Sequence, residues 1–458
     1  MRVGFETLGC RSNYADTIDL QAALSERGIS TCESAEGVEV FVLNTCTVTN
    51  DADKEAYRAI KRARRRSPGA KIVVTGCLAE VGAAELLQTG LVDAVIGPGR
   101  RNEVLGAILN EPISPVEVGS PKPLVVLPER RVMKSLPERR SISLHETISA
   151  QIPGPGARLG ETPVRARYHL RVQEGCENSC TFCIIPLTRG RLSSRDTKDI
   201  LSDIRHLASV GYREVVLTGT HLGGFGEDIG TSLRDLLVAL KDESEIRRIR
   251  LSSIDPNDVD EDLILLLASD GVFCNHLHIC VQAFCEHTLK RMNRRYSLAR
   301  ALEILNQAKA SIPGLCLGSD LIAGFPGETR EQMEGAQAIF ARSGVDYLHV
   351  FPYSERRETP ATRLDGEVEV SERKRRAARW RALSDRAWMQ FLQGLSGTPL
   401  EILVETYDDK FLYGTGRNFS ALKVSWEAID ASQDSVIGKT FSVVGLSVDS
   451  CDERLICE

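Results

Sequence analysis

The chain has no long apolar run. No stretch of its 458 residues approaches the roughly 18 consecutive apolar residues of a membrane span. Its first residues, Met1-Arg-Val-Gly-Phe-Glu, carry no signal-peptide core. The two absences predict a cytoplasmic protein with no membrane partner. A strong charge of either sign is also missing, since 57 Lys/Arg face 63 Asp/Glu and leave a net −6. There is no repeat longer than the pentad Leu127-Pro-Glu-Arg-Arg131, copied at Leu136-Pro-Glu-Arg-Arg140, which is too short to define a repeat architecture. Cysteine, by contrast, is plentiful. Thirteen cysteines without a secretory signal imply a reducing compartment, where thiols serve as ligands rather than disulfides.

A chain of this length holds about two to four domains. Residues 1–110 alternate predicted strands (Arg2–Leu8, Glu39–Asn44, Lys71–Thr75, Ala94–Ile96) with predicted helices (Asp16–Arg27, Asp51–Arg66, Ala79–Gln88), which implies a parallel α/β sheet. Residues 111–163 hold nine of the 18 prolines and read as a linker with one strand at Leu124–Leu127. The βα rhythm returns in 164–395. Strands are expected at His169–Val172, Glu214–Thr218, Arg248–Ser252, His276–Val281, Leu317–Ile322 and Tyr347–Phe351, and six βα units suggest a partial parallel barrel with its chemistry on the loops after the strands. A basic amphipathic helix is expected at Ser371–Gln393 with Ser371 as N-cap. Residues 396–458 read as a small all-β module. That tail holds 11 acidic and 5 basic residues, so it accounts for the whole charge deficit. Basic blocks lie at Lys61–Arg66 and Arg373–Arg381, where they can track a phosphate backbone or merely form solvated faces.

The richest motif is Gly175-Cys176-Glu-Asn-Ser-Cys180-Thr-Phe-Cys183, directly after the first barrel strand. Three thiolates at C-x3-C-x2-C spacing can hold three irons of a 4Fe-4S cluster and leave the fourth open to a small molecule. Zinc sites usually want four protein ligands, and ferredoxin runs space their cysteines differently. The alternative is chance spacing or a structural zinc site. Chemistry-bearing residues also end the other barrel strands, among them Thr218-Gly219, Ser252, Gln282 and Asp320, with the glycines allowing close backbone approach. Arg189, Arg191 and Arg195 lie just past the cysteine loop and can meet a carboxylate or phosphate.

Cys10, Cys46 and Cys77 form a second constellation. Each ends a predicted strand just before a helix, and in a parallel sheet those ends share one edge. They can converge on a second cluster or be three structural cysteines. Cys32, Cys274, Cys280, Cys285, Cys316, Cys451 and Cys457 share no spacing and receive no ligand role.

These residues resemble the radical S-adenosylmethionine (SAM) methylthiotransferases over nearly the whole chain. The N-terminal match rests on Gly9-Cys10, Asn13, Asn44-Thr-Cys46-Thr-Val-Thr-Asn50 and Thr75-Gly-Cys77. The central match rests on Gln173-Glu-Gly-Cys176 through Cys183-Ile-Ile-Pro186, Arg189-Gly190-Arg191, Arg291–Tyr296, Asp320–Thr329 and His349-Val-Phe-Pro-Tyr-Ser354. The end resembles the RNA-binding TRAM barrel. Leu217-Thr-Gly219 and Leu251-Ser-Ser-Ile-Asp-Pro256 look most like the branch acting on threonylcarbamoyl adenosine in tRNA.

The resemblance implies two 4Fe-4S clusters, on Cys176/Cys180/Cys183 and on Cys10/Cys46/Cys77. It implies SAM at the open iron, with Thr218, Gly219, Ser252, Gln282, Asp320 and Arg191 as candidate contacts. The implied reaction methylthiolates carbon 2 of N6-threonylcarbamoyladenosine at tRNA position 37. One SAM gives the radical that abstracts hydrogen, the auxiliary cluster gives sulfur, and a second SAM gives the methyl. The implied partners are the tRNA anticodon loop and an electron donor such as flavodoxin or ferredoxin. No catalytic side chain is singled out. The rival substrates are isopentenyladenosine in tRNA and a ribosomal-protein aspartate. A rival class is a non-catalytic iron-sulfur RNA-binding protein. Three departures from the family pattern bear on it: Gln282-Ala283-Phe284-Cys285 places a bulky Phe where glycine is usual, near the expected SAM pocket, the tail is acidic, and the linker at 111–163 is longer than the group leads one to expect.

Overall fold

A computed structural model describes residues 1–111, 166–269, 271–429, 436–449 and 452–458, together with the backbone of Leu124–Val126. Most of the Pro-rich linker, including both pentads, lies outside the described residues. Its one expected strand is present as Leu124–Val126.

Short β-branched runs build the first sheet. Ser30–Cys32, Arg2–Thr7, Val40–Thr45, Lys71–Gly76, Ala94–Ile96 and Leu124–Val126 lie side by side in that order, all parallel. Alternate side chains go to opposite faces. Phe41, Leu43, Ile72 and Val74 pack against Ala56 and Ile60 of the helix Asn50–Arg66. Val40, Val42, Val73 and Ile96 pack against Leu20 and Leu24 of the helix Arg11–Ser25 and Ile108 of the helix Arg101–Leu109.

The central unit is an open barrel. Arg167–Arg171, Glu214–Thr218 and Arg248–Leu251 pair in parallel, and Ser253–Ile254 carries the third strand on to His276–Ile279, Cys316–Ala323 and Tyr347–Pro352. Among the described residues the first and last strands do not pair. Helix Arg11–Ser25 of the first unit lies against the first strand, where Arg171 pairs with Asp16 and with Asp19 (3.0 Å).

The long helix spans Val370–Gly394 and packs on the last two barrel strands. Ser371 is not its N-cap. The cap position is Glu369, without a side-chain cap, because Arg373 reaches back to the Val368 carbonyl (2.5 Å) and draws the entry into the helix earlier. Phe284 also departs from expectation. It is 1% exposed, stacked on Trp380 (6.3 Å) and edge-on to Phe340 (5.5 Å), so its bulk fills the core under the long helix rather than crowding a ligand pocket.

Five strands close a separate barrel in the order Pro399–Tyr407, Phe411–Gly416, Ala421–Ser425, Arg454–Cys457, Thr440–Asp449. Its Gly416–Ser420 turn inserts into the strand-start end of the central barrel, where Phe419 stacks on His276 (4.5 Å) and lies under Arg250 (5.6 Å). Glu214 anchors that junction. It pairs with Arg248 (2.8 Å) and Arg250 (2.7 Å), which continue to Glu401 (2.5 Å) and to the Gly416 (3.1 Å) and Arg417 (2.9 Å) carbonyls.

Burial alone would raise the Glu214 carboxyl, but the two guanidiniums outweigh it and hold it at about 2. With the folded value below the unfolded one, its stabilisation is complete above the ordinary carboxyl range and is lost as pH falls toward 2. Glu214→Gln leaves the buried Arg250 guanidinium without a carboxylate and Arg248 with Glu401 alone, and should cost about 3–5 kcal/mol in urea unfolding at neutral pH. The gap between variant and wild type should narrow below roughly pH 4, where the unfolded carboxyl protonates.

Candidate active site: two cysteine sets at facing edges

The Cys176–Cys183 loop leaves the first barrel strand through Gly175, at φ 76. A Cβ there would sit 1.8 Å from the Arg191 carbonyl oxygen, so only glycine passes. The loop is pinned from several sides. Cys176 N–H donates to Gly190 O (3.1 Å), Thr181 N–H to Met292 O (3.1 Å), Ala361 N–H to Thr181 O (2.9 Å), and Asn293 Nδ2 to Ser179 O (2.9 Å). Two sulfurs accept hydrogen bonds: Cys176 Sγ from Asn178 N–H (3.4 Å) and Cys180 Sγ from Arg294 Nη1 (3.0 Å). Arg294 also pairs with Asp255.

Burial pushes the Cys176 thiol up and the Cys183 thiol up to about 12. Such groups become thiolates when cationic iron holds them, and N–H donors to sulfur suit that state. The loop therefore fits a cluster. All twelve described cysteines are free of disulfides.

The strand-end residues take different positions. Thr218 is buried, and its hydroxyl donates to Leu170 O (3.1 Å). Gly219 lets the first two loops interlock, since a Cβ would lie 2.6 Å from Gln173 Oε1, which accepts His221 N–H (2.9 Å). Ser252 Oγ is buried without a hydrogen bond among the described residues. Gln282 adopts φ 68 and joins the Asp320 strand through backbone bonds to Asp320 O and from Ile322 N (3.0 Å each). Asp320 lies inside the barrel with His278 Nε2 (3.0 Å), His349 Nδ1 (3.5 Å) and Cys280 Sγ (3.1 Å). Burial works against its charge, but the His278 and His349 contacts prevail and hold the carboxyl well below the usual range.

Arg189 and Arg195 are not open anion receptors. Arg195 pairs with Asp203 (2.6 Å), and Arg189 is fully buried, its two terminal nitrogens held by acceptors from two domains. Arg191 alone of the three is exposed, at the rim beside Glu177 (3.8 Å).

The structure brings Cys10, Cys46 and Cys77 together. Gly9 turns at φ 99 so closely that a Cβ would lie 2.9 Å from Cys46 Sγ. Asn13 Nδ2 ties Leu8 O (2.8 Å) to Thr45 O (3.0 Å), and Asn44 Nδ2 answers on Asn13 O (2.8 Å). Cys46 Sγ accepts Val48 N–H (3.5 Å). Burial pushes the Cys46 thiol up to about 11, and the nearby Cys10 and Cys77 add to it. Burial also raises Cys77, and Arg189 eases it. These three neighbouring sulfurs fit a second cluster as the loop fits the first.

That edge is fixed against the barrel mouth. Arg189 donates to Glu174 (2.8 Å) from the barrel and to Asn13 Oδ1 (2.5 Å) and Asp16 (3.1 Å) from the first domain. On the other flank Arg356 holds Asp53 (2.6 Å) and Thr47 O (3.0 Å), and Asn50 N–H donates to Ser354 Oγ (2.9 Å). Two residues join the site that the sequence pattern did not flag individually, His278 and His349. His278 and His349 alternate with apolar residues on strands, like any half-buried pair.

A partial parallel barrel with a three-cysteine loop after its first strand defines a radical SAM enzyme. Residues 170–337 match the Radical SAM superfamily, and residues 2–97 match the uncharacterized protein family UPF0004. The chain is 34% identical to the threonylcarbamoyladenosine tRNA methylthiotransferase MtaB of Bacillus subtilis, over 96% of this chain and 93% of that one. It is 31% identical to a tRNA-2-methylthio-N(6)-dimethylallyladenosine synthase of Bacillus thuringiensis, over 87% and 75%. In fold it is similar to the radical SAM methyltransferase TsrM of Kitasatospora setae, at TM-score 0.51 and 15% identity, over 76% of this chain and 74% of that one. The chain belongs to the radical SAM methylthiotransferases, transferases whose cofactors are SAM and 4Fe-4S clusters. No helix among the described residues is long and apolar enough to cross a membrane.

Arg189→Met removes the buried cation that Glu174 and Asp16 share. It should cost about 3–5 kcal/mol, read as a first domain that melts or is cleaved by protease before the barrel.

Proposed function

We propose that this chain methylthiolates carbon 2 of N6-threonylcarbamoyladenosine at tRNA position 37. The observation that carries the proposal is the fixed juxtaposition of two cysteine sets, one at the barrel mouth and one on the facing sheet edge. Relatives named for this nucleoside supply the substrate. The bound cofactors supply the radical, the sulfur and the methyl group, and the protein supplies position and enclosure.

Cys176, Cys180 and Cys183 hold one cluster, with Arg294 and the Asn178 N–H offsetting charge on its sulfurs. Cys10, Cys46 and Cys77 hold the other. Thr218, Gly219, Ser252, Gln282 and Asp320 wall the SAM pocket, and Arg191 waits at the rim for an anion. Phe419 stops the far end of the barrel, which keeps water from a reactive radical. Exposed Lys61, Arg65, Arg66, Lys374, Arg375 and Arg379 supply phosphate contacts, while Arg64, Arg373 and Arg376 are held by internal partners. The domains run 1–110, 164–395 and 396–458 around the linker 111–163. The last acts as a TRAM-like RNA-binding barrel despite its acidity. Flavodoxin or ferredoxin delivers electrons in the cytoplasm.

Expression in a strain lacking 2-methylthio-threonylcarbamoyl adenosine should restore that nucleoside in digested tRNA, read by mass spectrometry. Appearance of 2-methylthio-isopentenyladenosine instead would transfer the substrate to the dimethylallyl branch. Absence of both, with no 5′-deoxyadenosine from reduced reconstituted protein, would leave a non-catalytic RNA binder. Replacing Cys10, Cys46 and Cys77 by Ala should lower iron from about eight to about four per chain.

A further inference from the structure

We propose that His278, Asp320 and His349 form a divalent transition-metal site inside the central barrel, separate from both cysteine sets. The inference does not depend on the substrate proposed above.

The three residues come from adjacent parallel strands. His278 stands on His276–Ile279, Asp320 on Cys316–Ala323 and His349 on Tyr347–Pro352, and Asp320 and His349 are directly opposite in the register. Their ligand atoms all lie within 4.8 Å of one another. His278 Nε2 (3.0 Å) and His349 Nδ1 (3.5 Å) converge on the same oxygen, Asp320 Oδ1, and the two rings stack at 4.7 Å. Stacked imidazoles repel when both are cationic, so two protons compensate this carboxylate poorly. One divalent cation bonded to all three atoms compensates it with both rings neutral.

The surroundings match the outer shell of a metal site. A metal-bound imidazole usually gives its other N–H to a fixed acceptor, and a ligating carboxylate is itself hydrogen-bonded. His278 Nδ1 lies 3.1 Å from the Tyr347 hydroxyl, which lies 2.8 Å from His276 Nε2. With a metal on Nε2, His278 donates to Tyr347 and Tyr347 donates to His276, which burial holds well below its ordinary value and so neutral. Gly318 makes room for this relay, since a Cβ there would collide with the Tyr347 ring and lie 2.6 Å from His278 Nδ1. Asp320 Oδ2 accepts the Cys280 thiol (3.1 Å), and burial keeps that thiol protonated as a donor. The remaining side is open. His349 shares the inward face with Tyr347, yet its side chain is 49% exposed, so the layer borders space rather than packed side chains. Two imidazoles and one carboxylate beside an open position are the donor set of zinc and ferrous enzyme sites. Asp320 is thereby shared between the metal and the wall of the SAM pocket.

The test adds one equivalent of zinc to reconstituted protein, anaerobically and without SAM or tRNA, then desalts it and counts iron and zinc in the same sample. Wild type should retain about one zinc per chain with its iron unchanged, and X-ray absorption at the zinc edge should show nitrogen and oxygen neighbours at about 2.0–2.2 Å. Affinity is read by competition with a colorimetric chelator. Tyr347→Phe, which keeps every ligand, should weaken zinc binding about 10- to 100-fold. His349→Gln and His278→Gln, which each remove a ligand, should weaken it by more. Iron held at the wild-type count separates loss of a ligand from loss of the fold, and where one histidine variant sheds iron the other carries the test. Failure of wild type to retain zinc overturns the proposal. So does zinc surrounded by sulfur at about 2.3 Å with iron lost, which would place it in the cysteine sets. Unaltered affinity in a histidine variant that keeps its iron overturns it as well.

Discussion

Arg189 is a guanidinium sealed from water and held by carboxylates from two domains. Such a charge is costly to bury and is tolerated because carboxylates compensate it. Glu174 comes from the barrel, 15 residues before Arg189 in the chain, and Asp16 and Asn13 come from the helix that follows Cys10. The ion pairs therefore act as a register mark. They allow one orientation of the N-terminal sheet edge over the barrel mouth. Because Asn13 also orders the Gly9–Cys10 and Cys46 loops, the same network that docks the domains shapes the second cysteine set.

The barrel is a graded enclosure. At the strand starts Phe419, His276 and Tyr347 form an aromatic floor, with the Glu214–Arg250 pair beside it. Above it His278, Asp320 and His349 give a polar middle layer. At the strand ends lie the cysteine loop, Arg294 and the His221–Asp258 pair (2.9 Å). Helix Arg11–Ser25 of the first domain lies against the first strand, at the open side of the barrel. An unselective radical needs such confinement, and the closure comes from three domains rather than from the barrel alone.

Much of this was legible in the sequence. The strands of both sheets are apolar runs bounded by glycine and polar residues, and Glu214–Thr218 and Ala94–Ile96 coincide with expectation to the residue. Ser30–Cys32 was missed because a three-residue edge strand with exposed positions has no periodicity. Helix Arg11–Ser25 begins five residues before the expected Asp16, since no capping side chain announces it. The cysteines were legible because their positions after strands force them to one edge. Arginine roles were not. Arg189 meets partners far along the chain, so spacing cannot tell a docking arginine from an anion receptor. Phe284 likewise looked like an obstruction until the long helix supplied Trp380 for it to stack on.

The central claim is that one chain holds two iron-sulfur clusters on facing edges. Anomalous diffraction at the iron edge from anaerobically reconstituted crystals tests it most directly. The account predicts two iron peaks, one bonded to Cys176, Cys180 and Cys183 and the other to Cys10, Cys46 and Cys77. A single peak at the barrel mouth, with the second cysteine set free of metal, would contradict it.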